Sequence, residues 1–367
     1  MMRIATVLGA RPQFIKAAPV SRALAAVNGG NPLHEVLIHT GQHYDDQMSQ
    51  VFFHQLGLPD PNYNLGVGSG SHGQQTGAML AAIEAVLLQE RPDYVLVYGD
   101  TNSTLAGALA AAKLHIPLAH VEAGLRSFNR RMPEEINRIM ADHVSDMLFV
   151  PTETAVANLQ REGITNNVFL VGDVMQDAVA DHAALAAEQS KILEILSIRP
   201  KHFLLATIHR AENTDSPARL GRILAALAAL AQEHVIVWPV HPRARKCLHE
   251  SAFPSNLRLI EPAAYFDMLV LERNAAVILT DSGGVQKEAR WLQVPCVTLR
   301  DETEWVETLR DGWNQLAGSD IELILGAVER ARLRHADHPV QLVRSGAAAR
   351  IAECLAQGAR VVQREQE

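Results

Sequence analysis

The chain has 367 residues, of which 48% are apolar and 20% charged, and its formal net charge is −8. That length points to two domains of an ordinary soluble globular protein. The negative charge argues against broad nucleic-acid binding, and no run of about 18 apolar residues is present to span a membrane.

The opening MMRIATVL reads as a strand, Ile4–Leu8, and its apolar run is too short for a signal peptide. GARPQ and an amphipathic segment, Phe14–Ala26, follow. Glu35–His39 and Tyr94–Tyr98 are further strands, the alanine-rich run Leu105–Leu114 is a helix, and Leu118–Val121 and Met147–Val150 continue the strands. Gly172–Asp177 looks like a crossing point, with a helix expected over Ala178–Leu196. A second series then runs Phe203–Thr207, Val235–Val240, Leu257–Ile260, Val277–Thr280 and Val294–Leu299. This alternation predicts α/β architecture with two doubly wound, mostly parallel domains, 1–172 and 173–339. The last amphipathic helix, Val340–Gln357, is expected to pack back on the first domain, and a charged tail, Gly358–Glu367, to fray. Cys247, Cys296 and Cys354 are odd in number and far apart, as expected of free thiols in a reducing, cytoplasmic setting.

The chemistry concentrates between Tyr98 and Arg138, which reads YGDTNST, AHVEAGLRS and RMPEEINR. Asp100 and Glu122 each follow a strand, and Glu134 and Glu135 open a helix. Ligands of open α/β sheets bind at the carboxyl ends of strands. No metal-ligand spacing accompanies these acids, so they are available for proton chemistry. Asp100 could instead cap a helix through its neighbourhood with Thr101, and acids at a helix start are stabilised by its dipole. Glu122, a carboxylate beside Gly124 at a strand end, is harder to explain structurally. Arg126, Arg130 and Arg131 make the region mixed in charge, which suits an anionic substrate.

In the second domain ILTDSGGVQKEA places Ser282, Gly283 and Gly284 at a helix start, where free N–H groups favour phosphate. Glu288, one to two turns in, could accept from a ribose hydroxyl pair. His209 in IHRAEN and His241 in WPVHPR follow successive strands, each with an arginine nearby, Arg210 and Arg243. Arg11 and Lys16 follow the first strand, in a segment that is not GxGxxG, so the dinucleotide fingerprint is absent.

GARPQFIK, TGQHYDDQMS, YGDTNST, HVEAGLRS, MPEEINR, PTETAVANL, VGD, IHRAEN and DSGG–QKE occur in one order and spacing over nearly the whole chain. Together they resemble the non-hydrolysing UDP-N-acetylglucosamine 2-epimerases. The resemblance implies two Rossmann-like domains of GT-B type, an active site in the interdomain cleft, a homodimer and no cofactor. It implies loss of the sugar C2 proton with anti elimination of UDP, a 2-acetamidoglucal intermediate, syn re-addition and protonation from the opposite face. By similarity Asp100, Glu122 and Glu134 are the acid/base carboxylates, and His209 meets the departing diphosphate. Arg11, Lys16, His43, Arg210, His241, Ser282, Gly283, Gly284, Glu288 and Trp305 would contact the UDP-sugar.

This chain departs from the family where RPEAIK becomes Arg11–Lys16 as RPQFIK and TERPE becomes Thr303–Glu307 as TEWVE. An arginine expected to face the ligand is thus Trp305. PQEYLPF reads PAAYFDM, altering uracil-side positions at Ala263 and Met268. RPQFIK with TEWVE resembles the branch acting on UDP-2,3-diacetamido-2,3-dideoxy-glucuronate, a sugar used for bacterial lipopolysaccharide O-antigen. The alternatives are an epimerase of plain UDP-N-acetylglucosamine, a hydrolysing epimerase, a GT-B glycosyltransferase and a catalytically silent nucleotide-sugar sensor. The last two have no use for carboxylates on both faces of a sugar.

Overall fold

The structure, a computed structural model, describes residues 2–27, 33–42, 53, 55–248, 253–310, 312–334 and 342–365. The chain divides into two compact units, Met1–Ala178 with Val343–Glu367, and Val179–Leu342. His43, expected at the site, lies outside the described residues.

The first unit is built on parallel strands β1 (Met2–Leu8), β2 (Leu33–His39), β3 (Tyr63–Asn64), β4 (Tyr94–Tyr98), β5 (Leu118–Val121), β6 (Met147–Val150) and β7 (Val168–Leu170). They lie in the order β3-β2-β1-β4-β5-β6-β7. The central strands are runs such as YVLVY, buried throughout. Runs of that kind suit a parallel sheet covered by helices on both faces. The helix Asn102–Lys113 packs closely on the sheet at Gly107, where a Cβ would stand 3.1 Å from Val97 and 3.2 Å from Val7.

The second unit repeats the plan with β8 (Phe203–Thr207), β9 (Val235–Pro239), β10 (Leu257–Ile260), β11 (Val277–Thr280), β12 (Cys296–Thr298) and β13 (Asn314–Leu316). Their order is β10-β9-β8-β11-β12-β13, again all parallel. Trp238, Ile223, Leu227, Leu279 and Ile324 anchor its core. In both sheets the chain leaves the first strand for one edge and returns to its other side. That reversal puts a crevice at the carboxyl ends of β1 and β4, and another at those of β8 and β11.

The helices near the crossing of the chain start and stop elsewhere than the periodicity suggests. The stretch expected as Ala178–Leu196 is two helices, Val174–Gln189 and Ile192–Ile195. The first starts early because Asp173 Oδ1 accepts from Met175 N at 2.8 Å. The terminal helix runs Ala347–Glu365 and packs against Arg11–Ala26 in its own unit. Its start is set by Asp177, whose carboxylate accepts from the backbone of Gly346 and Ala348, both at 2.9 Å. Tyr63–Asn64, Val168–Leu170, Asn314–Leu316 and the helix His72–Glu90 are additional elements.

Candidate active site

In the first unit, β4 and β5 pair Tyr98 with Val121, so Gly99 and Glu122 emerge side by side. Glu122 adopts φ 70°, the left-handed region that a side chain with a Cβ normally avoids. Its backbone N–H donates to Phe149 O at 3.1 Å. Strain of this kind persists only where the surroundings over-determine it, and it clusters at functional positions. The Glu122 carboxylate is almost fully buried and forms an ion pair with Lys16, which comes from the helix after β1. Gly99 makes room for that pair, because a Cβ on it would stand 3.2 Å from both Glu122 Oε2 and Lys16 Nζ. Gly99 also has φ 62°.

Asp100 follows, partly exposed, and its carboxylate pairs with Arg138. Arg138 also reaches Glu135 at 3.2 Å, while Asn137 Nδ2 donates to Asp100 O at 2.9 Å. The helix Pro133–Val144 thus fastens the Asp100 loop, with Glu134 in its first turn. The two acids of that turn separate clearly. Glu135 is buried and accepts from Ser127 N, Ser127 Oγ and Phe128 N, each at 2.9 Å, so it braces the loop. Glu134 is half-buried, and its carboxylate forms no hydrogen bond or ion pair with a described residue. It is the member of the pair open to chemistry.

Beneath these loops lies a buried polar network. His120 Nε2 donates to Gly99 O at 2.7 Å, and its Nδ1 faces Asp142 Oδ1 at 2.7 Å. Burial alone would raise the Asp142 carboxyl, but the hydrogen bond and charge of His120, with Arg126, hold it below its ordinary value. Arg126, expected to help an anionic substrate, is buried and bridges Asp142 at 2.6 Å and Glu162 at 2.7 Å. Gln13 joins β1 to β4: its Oε1 accepts from Gly9 N at 2.8 Å and its Nε2 donates to Tyr98 O at 2.9 Å. A glutamate could not donate that second bond. Arg11 opens the same helix.

In the second unit Asp281, fully buried at the end of β11, organises the loop after β8. It accepts from His209 N at 3.1 Å, Arg210 N at 3.0 Å and Asn213 Nδ2 at 3.1 Å, and it faces His209 Nδ1 at 3.2 Å. Burial would raise this carboxyl as well, yet His209, Arg210 and Asn213 hold it lowered. His241 ends the neighbouring strand's loop, and its ring centroid lies 5.6 Å from that of His209. His241 Nδ1 accepts from Arg243 N at 3.2 Å. Ser282 stands at the N-cap position of the helix Gly283–Trp291 without a side-chain capping bond, and the first-turn N–H groups of Gly283 and Gly284 have no acceptor within their own helix.

Trp305 does not stand open beside that helix start. It is buried at 5% exposure, with Nε1 3.0 Å from where a Gly283 Cβ would be. Lys287 Nζ sits 3.8 Å from the Trp305 ring centroid. Arg210 meets Glu304 at 3.5 Å, and Arg300 meets it at 2.8 Å. Glu288 is buried on the inner face of the helix. The pairings of Arg138, Asn137, Asp142 and Asn213 carry no local motif. The one hint in the sequence is the i,i+3 spacing of Glu135 and Arg138.

The chain matches the family described as UDP-N-acetylglucosamine 2-epimerase over residues 25–356. It belongs to that family. A UDP-N-acetylglucosamine 2-epimerase homolog of Methanococcus maripaludis is 55% identical over 336 residues, covering 90% of this chain and 92% of the relative. The UDP-2,3-diacetamido-2,3-dideoxy-D-glucuronate 2-epimerase of Pseudomonas aeruginosa is 50% identical over 361 residues, covering 97% and 99%. A crystal structure of the Methanocaldococcus jannaschii UDP-GlcNAc 2-epimerase with UDP-GlcNAc and UDP superposes with a TM-score of 0.89 at 44% identity, covering 97% of this chain and all of that one. The epimerase is therefore an isomerase acting on a UDP-sugar, built from two Rossmann-like units of GT-B type. No helix in its described residues is long and apolar enough to cross a membrane.

Proposed function

We propose that this epimerase inverts C2 of UDP-2,3-diacetamido-2,3-dideoxy-glucuronate, giving the manno-configured uronate used for lipopolysaccharide O-antigen. The observation that carries the reaction is a set of acids on adjoining elements: Glu122 held in a left-handed conformation against Lys16, Asp100 against Arg138, and Glu134 in the first turn of the helix that fastens the Asp100 loop. A sugar C2 proton is weakly acidic, so its removal and return need bases held on both faces. One of Asp100, Glu122 and Glu134 takes the C2 proton while the C1–O bond to UDP breaks, leaving a 2-acetamidoglucal-type alkene. UDP returns to C1 on the side it left, and a second acid delivers a proton to the opposite face of C2.

The departing diphosphate requires cations and N–H donors that are already in place. Arg11, Lys16, Arg210, the His209 ring and the Gly283–Gly284 helix start supply them. By the same reading His43 and His241 belong to the UDP-sugar site, and the enzyme works as a cytoplasmic homodimer without a cofactor. The uronate is favoured because an aromatic, Trp305, replaces the ligand-side arginine and packs under the Lys287 cation of the phosphate helix. The Pseudomonas enzyme named for that substrate aligns with 97% of the chain at 50% identity.

Incubation in D₂O with each sugar nucleotide, followed by proton NMR at C2, tests this. Deuterium at C2 and a manno product from the uronate alone is the expected result. The same outcome from UDP-N-acetylglucosamine alone would keep the mechanism and replace the substrate. Absence of exchange in both would remove the epimerase assignment for these sugars.

A further inference from the structure

Helix Tyr265–Asn274 packs against the phosphate helix Gly283–Trp291 and brings a second acid toward Glu288. Glu272 is 1% exposed, and neither of its carboxylate oxygens has a hydrogen-bond partner among the described residues. The charge that bears on it across the packed helices is another carboxylate, that of Glu288, itself 7% exposed. Two ionised carboxylates in a dry site repel strongly, and neither can donate to the other. One proton between them removes both problems, as in other buried carboxylate dyads.

We propose that Glu272 is a positioning residue of the nucleotide site, donating a shared proton to Glu288 and so fixing that carboxylate as an oriented acceptor for a ribose hydroxyl pair. The inference rests on the reading that Glu288 receives the ribose. The proton belongs on Glu272, because burial, and then the charge of Glu288, raise its carboxyl well above the ordinary value. The other titratable group bearing on it is Cys296 on β12, whose thiol burial pushes up to about 12 and which therefore stays neutral. Among the described residues no lysine, arginine or histidine bears on Glu272.

A carboxyl raised in the folded state contributes most below its unfolded value, about 4.3, and that contribution is lost as pH climbs toward the folded value. Glutamine at 272 donates at every pH, and leucine never does. Calorimetric UDP affinity and thermal midpoints for the wild type, Glu272→Gln, Glu272→Leu and Glu288→Gln, between pH 5 and 9, test the assignment. Glu272→Gln should bind UDP within about threefold of wild type, and its thermal midpoint should gain on wild type as pH rises. Glu272→Leu should lose about tenfold in UDP affinity, the worth of about 1.4 kcal/mol, with kcat at saturation unchanged.

A packing role alone predicts the reverse, since an apolar isostere in a buried ionic site is often neutral or stabilising. Equal UDP affinity in the leucine and glutamine variants overturns the proposal. If Glu272→Leu does not fold, a midpoint difference between Glu272→Gln and wild type that is flat with pH overturns it as well. Glu288→Gln separates the two levels: wild-type UDP affinity in that variant removes the ribose role of Glu288, whatever Glu272 does.

Discussion

Asp281→Asn is the substitution whose consequences the geometry constrains most tightly. The native carboxylate is fully buried and accepts from three N–H donors while facing the His209 ring. Hydrogen bonds to a charged acceptor are worth about 1.5–3 kcal/mol, against about 0.5–1.5 kcal/mol for neutral ones. Asparagine therefore weakens the bonds it keeps. It also turns an NH₂ toward at least one donor, and an unmatched buried donor costs about 1–3 kcal/mol. The relief of burying no charge offsets part of this, leaving a net loss of roughly 3 kcal/mol. For a unit of this size that corresponds to a fall of about 6–12 °C in its melting temperature.

The pH dependence carries a sign. The Asp281 carboxyl is lowered in the fold, so its contribution is present above the unfolded value of about 3.9 and lost as pH falls through the folded one. The gap between wild type and variant should be full at pH 6–7 and narrow below about pH 4. Because Asp281 also fixes His209, UDP affinity should fall by about tenfold, or about 1.4 kcal/mol. Scanning calorimetry and UDP titration measure both effects. A variant that melts within about 2 °C of wild type with unchanged UDP affinity would refute the argument, since roughly 3 kcal/mol cannot hide in that interval.

Asp100→Asn, Glu122→Gln and Glu134→Gln should each lower turnover by roughly 10²–10⁴-fold while UDP still binds; near-normal steady-state rates in all three would remove the acid/base assignment. Gly99→Ala should cost about 1–2 kcal/mol in backbone strain and displace the Lys16–Glu122 pair, so turnover should drop more than UDP affinity in parallel kinetic and binding assays. Cys296, pushed up to about 12, should resist alkylation at pH 8 in the folded protein while Cys247, only partly buried, is labelled; peptide mass spectrometry reads this directly. Incubation with EDTA should leave activity intact, and a loss reversed by zinc or magnesium would contradict proton chemistry by carboxylates alone.

The fold was largely visible in the sequence because runs such as YVLVY, VILT and FLLAT are both apolar and β-branched or aromatic, and turn residues close them. What escaped were elements set by partners remote in sequence. Tyr63–Asn64 is a two-residue strand defined by pairing with β2, and the terminal helix begins where Asp177, 170 residues earlier, caps it. The carboxylates of the site were legible from their places after strands. Their restraints were not, because Arg138, Asp142 and Asn213 act through tertiary contacts that no local spacing encodes. Glu272 was invisible for the same reason: in the chain it is one acid in LVLERN, and only packing brings it to Glu288.

The conformation of Glu122 also bears on how this position can change by mutation. It must combine a left-handed backbone with a carboxylate long enough to meet Lys16. Single-base changes in a glutamate codon reach aspartate and glycine, among others. Aspartate keeps the charge and tolerates the backbone but shortens the reach. Glycine relieves the backbone and discards the acid. No single step improves one property without damaging another, so the residue sits on an isolated peak. A saturation library at position 122, screened for turnover, should return glutamate alone.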